Sequence, residues 1–122
     1  MTDGPAIDAA VFANLVEMTG GEMEFVDELV DTYLDDGQQQ VAALRDAAAA
    51  ADTEALVRPA HSLKSNSLNV GAMTLGEQCR ELEELARNGA VPDAADRVDA
   101  IATGFAEVRQ TLLAEREGRT AA

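Results

Sequence analysis

The spacing of apolar residues constrains this chain more than any other feature. Val98, Ile101, Phe105, Val108 and Leu112 recur at alternating intervals of three and four, which draws one apolar stripe along a helix. The same period appears in Val26, Val30, Tyr33 or Leu34, Gly37, Val41, Leu44 and Ala48, and again in Leu75, Cys79, Leu82 and Leu85 or Ala86. A shorter segment carries Val11 and Leu15, with Phe12 beside them. The stripes are separated by helix-stopping chemistry: Thr19-Gly20-Gly21, then Asp52 as a helix cap, Gly71, and Asn88 to Pro92. Five helices are expected, at 7–18, 22–50, 53–69, 73–88 and 92–115. Short loops between them favour antiparallel neighbours. Residues 7–115 then form one domain, with a disordered lead at 1–6 and a disordered tail at 116–122.

Composition agrees with an all-α fold. Hydrophobic residues make up 47% of the chain but only four are aromatic, whereas strands draw on β-branched and aromatic alternation. Gly37 lies in mid-helix, where glycine costs about 1 kcal/mol against alanine, so a bend or a close helix contact is expected there. The net charge of −14 argues against a sequence-independent grip on nucleic acid or on an anionic membrane. No apolar run approaches membrane-spanning length, and no basic, apolar leader opens the chain. The single cysteine, Cys79, has no internal partner and belongs to the core. A cytoplasmic protein is the expectation.

The third segment holds the chemistry. His61 is the only histidine, and Lys64 the only lysine among nine basic residues. Three residues apart on a helix, they share a face. A neutral imidazole is a nucleophile and the ammonium beside it neutralises an incoming anion, a pairing suited to accepting a phosphoryl group. Leu56, Ala60, Leu63, Ser67 and Val70 should point inward, with His61, Lys64, Ser65 and Leu68 on the more exposed face. Pro59 removes a backbone donor, so the helix should kink just before His61 or restart at Pro59.

The run Ala60-His61-Ser62-Leu63-Lys64-Ser65-Asn66-Ser67, followed by Asn69-Val70-Gly71-Ala72, resembles the signature of histidine phosphotransfer (HPt) domains. The resemblance continues through Leu75 and Cys79-Arg80-Glu81-Leu82-Glu83 and covers roughly residues 7–113. It implies an antiparallel four-helix bundle with a short additional N-terminal helix. His61 would take a phosphoryl group from an aspartyl phosphate on one receiver domain and pass it to another. Lys64 would stabilise phosphoryl charge. No ATP site is implied, and the chain has no Gly-rich phosphate loop. The protein would thus be a phosphocarrier rather than an enzyme, without a cofactor of its own, since the Mg²⁺ used in transfer belongs to the receiver. A monomer is expected.

Other residues take their roles from the same resemblance. Ser65 stands where the family most often has glycine, and its small side chain leaves room for the phosphoryl group. Glu83 falls where a polar residue faces the histidine from the next helix; it either accepts the imidazole Nδ1 proton or belongs to the solvated run Glu81, Glu83, Glu84. Leu68, with Phe12 and Leu15, would form an apolar ring that docks the receiver. Arg58 and Arg80 flank the motif and would pair with acidic groups on the partner or on the protein's own surface. Asp31, Asp35 and Asp36 read as a solvated helix face rather than a metal site, and Met18 and Met73 as packing at helix ends. The rival to phosphotransfer is an adaptor of the same fold that binds and sequesters a receiver without accepting phosphate. An enzyme or metal protein finds little support in one Cys, one His and no clustered ligand spacing.

Overall fold

The computed structural model describes residues 6–121, with the side chains of 119–121 left aside. Five α-helices follow one another: α1 (Ala9–Met18), α2 (Met23–Ala49), α3 (Val57–Asn69), α4 (Met73–Arg87) and α5 (Ala94–Ala121). A single 3₁₀ turn at Glu54–Leu56 leads into α3. Helices α2 to α5 form the bundle, and the short α1 lies against α2 and α3.

The expected stripes become the core. Val98, Ile101, Phe105, Val108 and Leu112 of α5 are all buried, as are Val26, Val30, Tyr33, Leu34 and Leu44 of α2. On α2 both Tyr33 and Leu34 turn inward, whereas Val41 and Ala48 are only half-buried and Ala47 takes the inner position. Gly37 marks a close contact: a Cβ there would overlap the Phe105 ring of α5. On α4 Ala86 is buried and Leu85 is half-buried.

Local chemistry sets the helix ends. Asp8 is the N-cap of α1, its Oδ1 accepting from the amides of Ala10 at 2.9 Å and Val11 at 3.2 Å. This moves the start of the helix from 7 to 9. The Asp8 amide in turn donates to the Gly71 carbonyl at 2.7 Å, which ties α1 to the α3–α4 turn. Gly71 has φ +91, and a Cβ on it would stand 2.8 Å from the Asp8 carbonyl oxygen. Two constraints therefore fall on one glycine. Asp52 accepts from the Ala55 amide at 3.1 Å and caps the 3₁₀ turn. Pro59 then falls in the first turn of α3, where opening amides have no partner within the helix, so the helix restarts before Pro59 and runs unbroken past His61.

Helix α5 runs beyond the expected end at Glu115, to Ala121, and Arg116 on it pairs with Asp27 at 3.3 Å and Asp31 at 3.0 Å on α2. Asp31 pairs with Arg116 while its side chain stays 62% exposed, Asp35 is exposed as well, and Asp36, half-buried, accepts from Asn66 Nδ2 of α3 at 3.1 Å. Met18 is 76% exposed and Met73 is also exposed; Met23 is the methionine that packs on the core. The lead expected at 1–6 falls, except for Ala6, outside the described residues. Among the described residues no helix is long and apolar enough to cross a membrane, and no group of His, Cys, Asp and Glu could hold a metal ion.

Candidate functional site

Helices α3 and α4 pack closely along their length, joined by the tight turn at Gly71. Their inner faces are apolar: Ala60 and Leu63 on one, Leu75, Cys79 and Leu82 on the other, all buried. One polar pair crosses the core, where Tyr33 Oη and Ser67 Oγ meet at 2.8 Å between α2 and α3. Burial raises the Tyr33 hydroxyl above its ordinary value and pushes the Cys79 thiol up to about 12, so neither ionises near neutrality. Cys79 is core, without a reactive thiolate.

At the outer edge of this interface lies a cluster centred on Glu83. His61 projects from mid-α3 with its side chain 53% exposed, whereas the Glu83 side chain of α4 is only 8% exposed. His61 Nδ1 stands 3.0 Å from Glu83 Oε2. A carboxylate only accepts hydrogen bonds, so beside ionised Glu83 the neutral imidazole carries its proton on Nδ1 and its lone pair on Nε2. Nε2 has no hydrogen-bond partner among the described residues. Lys64 Nζ forms an ion pair with the other oxygen, Oε1, at 2.8 Å. Arg87, one turn beyond Glu83, places Nη2 at 2.8 Å and Nε at 2.9 Å from Oε2.

Burial opposes ionisation of Glu83, but Lys64, Arg87 and the His61 contact outweigh it and bring the carboxyl down to about 2. The carboxylate is therefore ionised across the neutral range. Counting Lys64, Arg87 and Glu83 with a neutral imidazole, the cluster carries one net positive charge. On a chain of net charge −14, this is a local exception that favours an incoming anion.

The remaining candidate residues divide. Ser65 is exposed one turn after His61. Leu68 is half-buried and seated on Gly76 of α4, where a Cβ would overlap it. It also lines a groove of about 660 Å³ between α1, α2 and α3, together with Leu15, Val11, Leu29, Ser62 and Asn66. Leu15 and Leu68 thus share one apolar surface beside the histidine helix. Phe12 does not join them: it lines a separate hollow with Ile7, Val16 and Met23, toward α5. Residues 12 and 15 are i, i+3 neighbours on α1, but Leu15 opens onto the groove toward α2 and α3 and Phe12 onto the hollow bordered by Thr111 and Glu115 of α5. Arg80 pairs with Glu77 and, at 2.9 Å, with Glu84 of its own helix. Arg58 is exposed and makes no ion pair among the described residues, and it borders a shallow polar hollow with Thr53 and Arg87.

Arg87 is the residue that the motif did not point to. Its signal was nonetheless present, since Glu83 and Arg87 are spaced i, i+4 on one helix with the acid N-terminal to the base.

A helical bundle that holds one half-exposed histidine by a buried carboxylate, with a lysine one turn away, defines a histidine-presenting bundle. The family model of the Hpt domain matches residues 28–111, and the chain belongs to that family. Among solved structures it is similar to the crystal structure of histidine-containing phosphotransfer protein B (HptB) from Pseudomonas aeruginosa PAO1. The two share 35% sequence identity with a TM-score of 0.85, over 94% of this chain and 97% of that one. No curated relative matches it in sequence.

Proposed function

We propose that this protein is a phosphocarrier that relays phosphoryl groups between the receiver domains of a two-component phosphorelay, through His61. The observation that carries the reading is the division of the imidazole: Nδ1 is engaged by Glu83 at 3.0 Å and Nε2 is left unpartnered on a half-exposed side chain. In the transfer the Nε2 lone pair attacks the phosphorus of an aspartyl phosphate on the receiver. The N–P bond forms, the acyl phosphate P–O bond breaks, and the aspartate leaves as a carboxylate with the electron pair. Nδ1 keeps its proton, so the ring becomes a cation, and the Glu83 carboxylate beside it offsets that charge. The reverse sequence discharges the phosphoryl group onto a second receiver.

Lys64 is the cation within reach of the new phosphoryl oxygens, and Ser65 supplies a small side chain at the approach. Leu15 and Leu68 give the receiver an apolar landing beside the site, with Arg58 free to meet acidic groups around the receiver's aspartate. Mg²⁺ belongs to the receiver in this scheme, and the chain acts as a monomer in the cytoplasm, consumed and regenerated as a cosubstrate rather than acting as an enzyme. The test is to mix the protein with a receiver domain charged with labelled phosphate in Mg²⁺. Acid-labile, alkali-stable label on the wild type and none on His61→Gln is the expected result. Binding without transfer, across several receivers, would instead make the protein a receiver-sequestering adaptor.

A further inference from the structure

The two oxygens of Glu83 are divided among three donors. Oε1 faces Lys64, whereas Oε2 is shared by His61 Nδ1 and by both Nε and Nη2 of Arg87. A Lys64 ammonium that turns its donors toward a phosphoryl group on Nε2 gives up part of its hold on Oε1. A carboxylate that is 8% exposed and beside a phosphoryl dianion resists losing its counter-charge. Arg87 stays on the opposite oxygen, anchored one turn along the same helix, with its own side chain 57% exposed. We infer that Arg87 is a positioning residue that keeps Glu83 compensated through Oε2, so that Lys64 is free to move from Oε1 to the phosphoryl group. This inference rests on the phosphocarrier reading and gives Arg87 no contact with the phosphoryl group.

Acting through Glu83 has a consequence that direct action on phosphate or partner does not share: the effect of Arg87 must vanish when Glu83 carries no charge. The experiment is a double-mutant cycle in the full chain, with phosphoryl acceptance from a charged receiver and receiver Kd measured for each variant. Arg87→Gln should slow acceptance about tenfold at unchanged Kd, and Arg87→Lys should recover most of the loss. In the Glu83→Gln background the same change should cost less than about threefold. Equal losses in both backgrounds, or none in either, would overturn the inference.

A second readout needs no transfer. The only histidine gives a single set of ring signals in ¹⁵N-labelled protein. Removing Arg87 leaves His61 a larger share of Oε2, so the Nδ1 proton should move downfield in Arg87→Gln and stay put when Glu83 is already Gln. A signal that Arg87→Gln leaves unmoved while Glu83 is intact, or that it moves equally in Glu83→Gln, counts against the inference. Failure of the phosphocarrier reading looks different, because wild type and His61→Gln would then be equally unlabelled, and the inference would fall with it.

Discussion

Replacing Glu83 by glutamine tests the electrostatics of the site in a measurement that does not involve phosphate. The folded protein holds this carboxyl at about 2 against an ordinary value of 4.5, and linkage converts that difference into about 3 kcal/mol of stability at pH 7. Because the folded value is depressed, the contribution is fully present above about 4.5 and is lost as pH falls through about 2. By pH 3 only about 1.5 kcal/mol should remain. The assay is urea unfolding followed by helical circular dichroism, with wild type and Glu83→Gln compared at pH 7, 4.5 and 3. The other carboxylates titrate in both proteins and cancel in the difference. A gap of 2–3 kcal/mol at neutrality that roughly halves at pH 3 is the expected result. A gap below about 1 kcal/mol at pH 7, or one that does not change with pH, would refute the claim that His61, Lys64 and Arg87 together stabilise this carboxylate.

Three further outcomes follow from separate contacts. Lys64→Ala should slow phosphoryl acceptance about tenfold or more while receiver affinity stays the same; stopped-flow transfer and a binding titration separate the two. Tyr33→Phe leaves the buried Ser67 hydroxyl without its partner at 2.8 Å and should cost about 1–2 kcal/mol in denaturant with no change in transfer rate. Gly71→Ala meets both a left-handed φ of +91 and the Asp8 carbonyl at 2.8 Å, so it should cost about 2 kcal/mol or more and release α1, seen as faster amide exchange at Ala10 and Val11.

The bundle was legible because its period and its punctuation agree. The α5 stripe from Val98 to Leu112 is buried as written, and Gly71 stops α3 with the backbone geometry that glycine permits. Local pattern says less where an element is short or where its contacts are distant in sequence. Phe12 and Leu15 look equivalent on a helical wheel, but α1 is too short to be enclosed, and the two residues face different hollows. The run of α5 beyond Glu115 is not written in its local pattern, because the residues that meet Arg116 there, Asp27 and Asp31, lie about ninety positions away in sequence. Of the site, the pairing of His61 with Lys64 follows from spacing alone. The meeting of both with Glu83 depends on how α3 and α4 are set against each other, which local pattern does not encode. The same holds for Arg87: its i, i+4 pairing with Glu83 is visible in the sequence, but it bears on the site only because the fold sets that carboxylate against the imidazole.

The most direct test of the account is the chemistry of the charged protein. After phosphorylation by a receiver, ³¹P and long-range ¹H–¹⁵N spectra of the labelled chain report which ring nitrogen of its single histidine bears phosphorus. The account predicts phosphorus on Nε2 with the proton retained on Nδ1, because Nδ1 is engaged by Glu83 at 3.0 Å. Phosphorus on Nδ1, or phosphate on any residue other than His61, would contradict it.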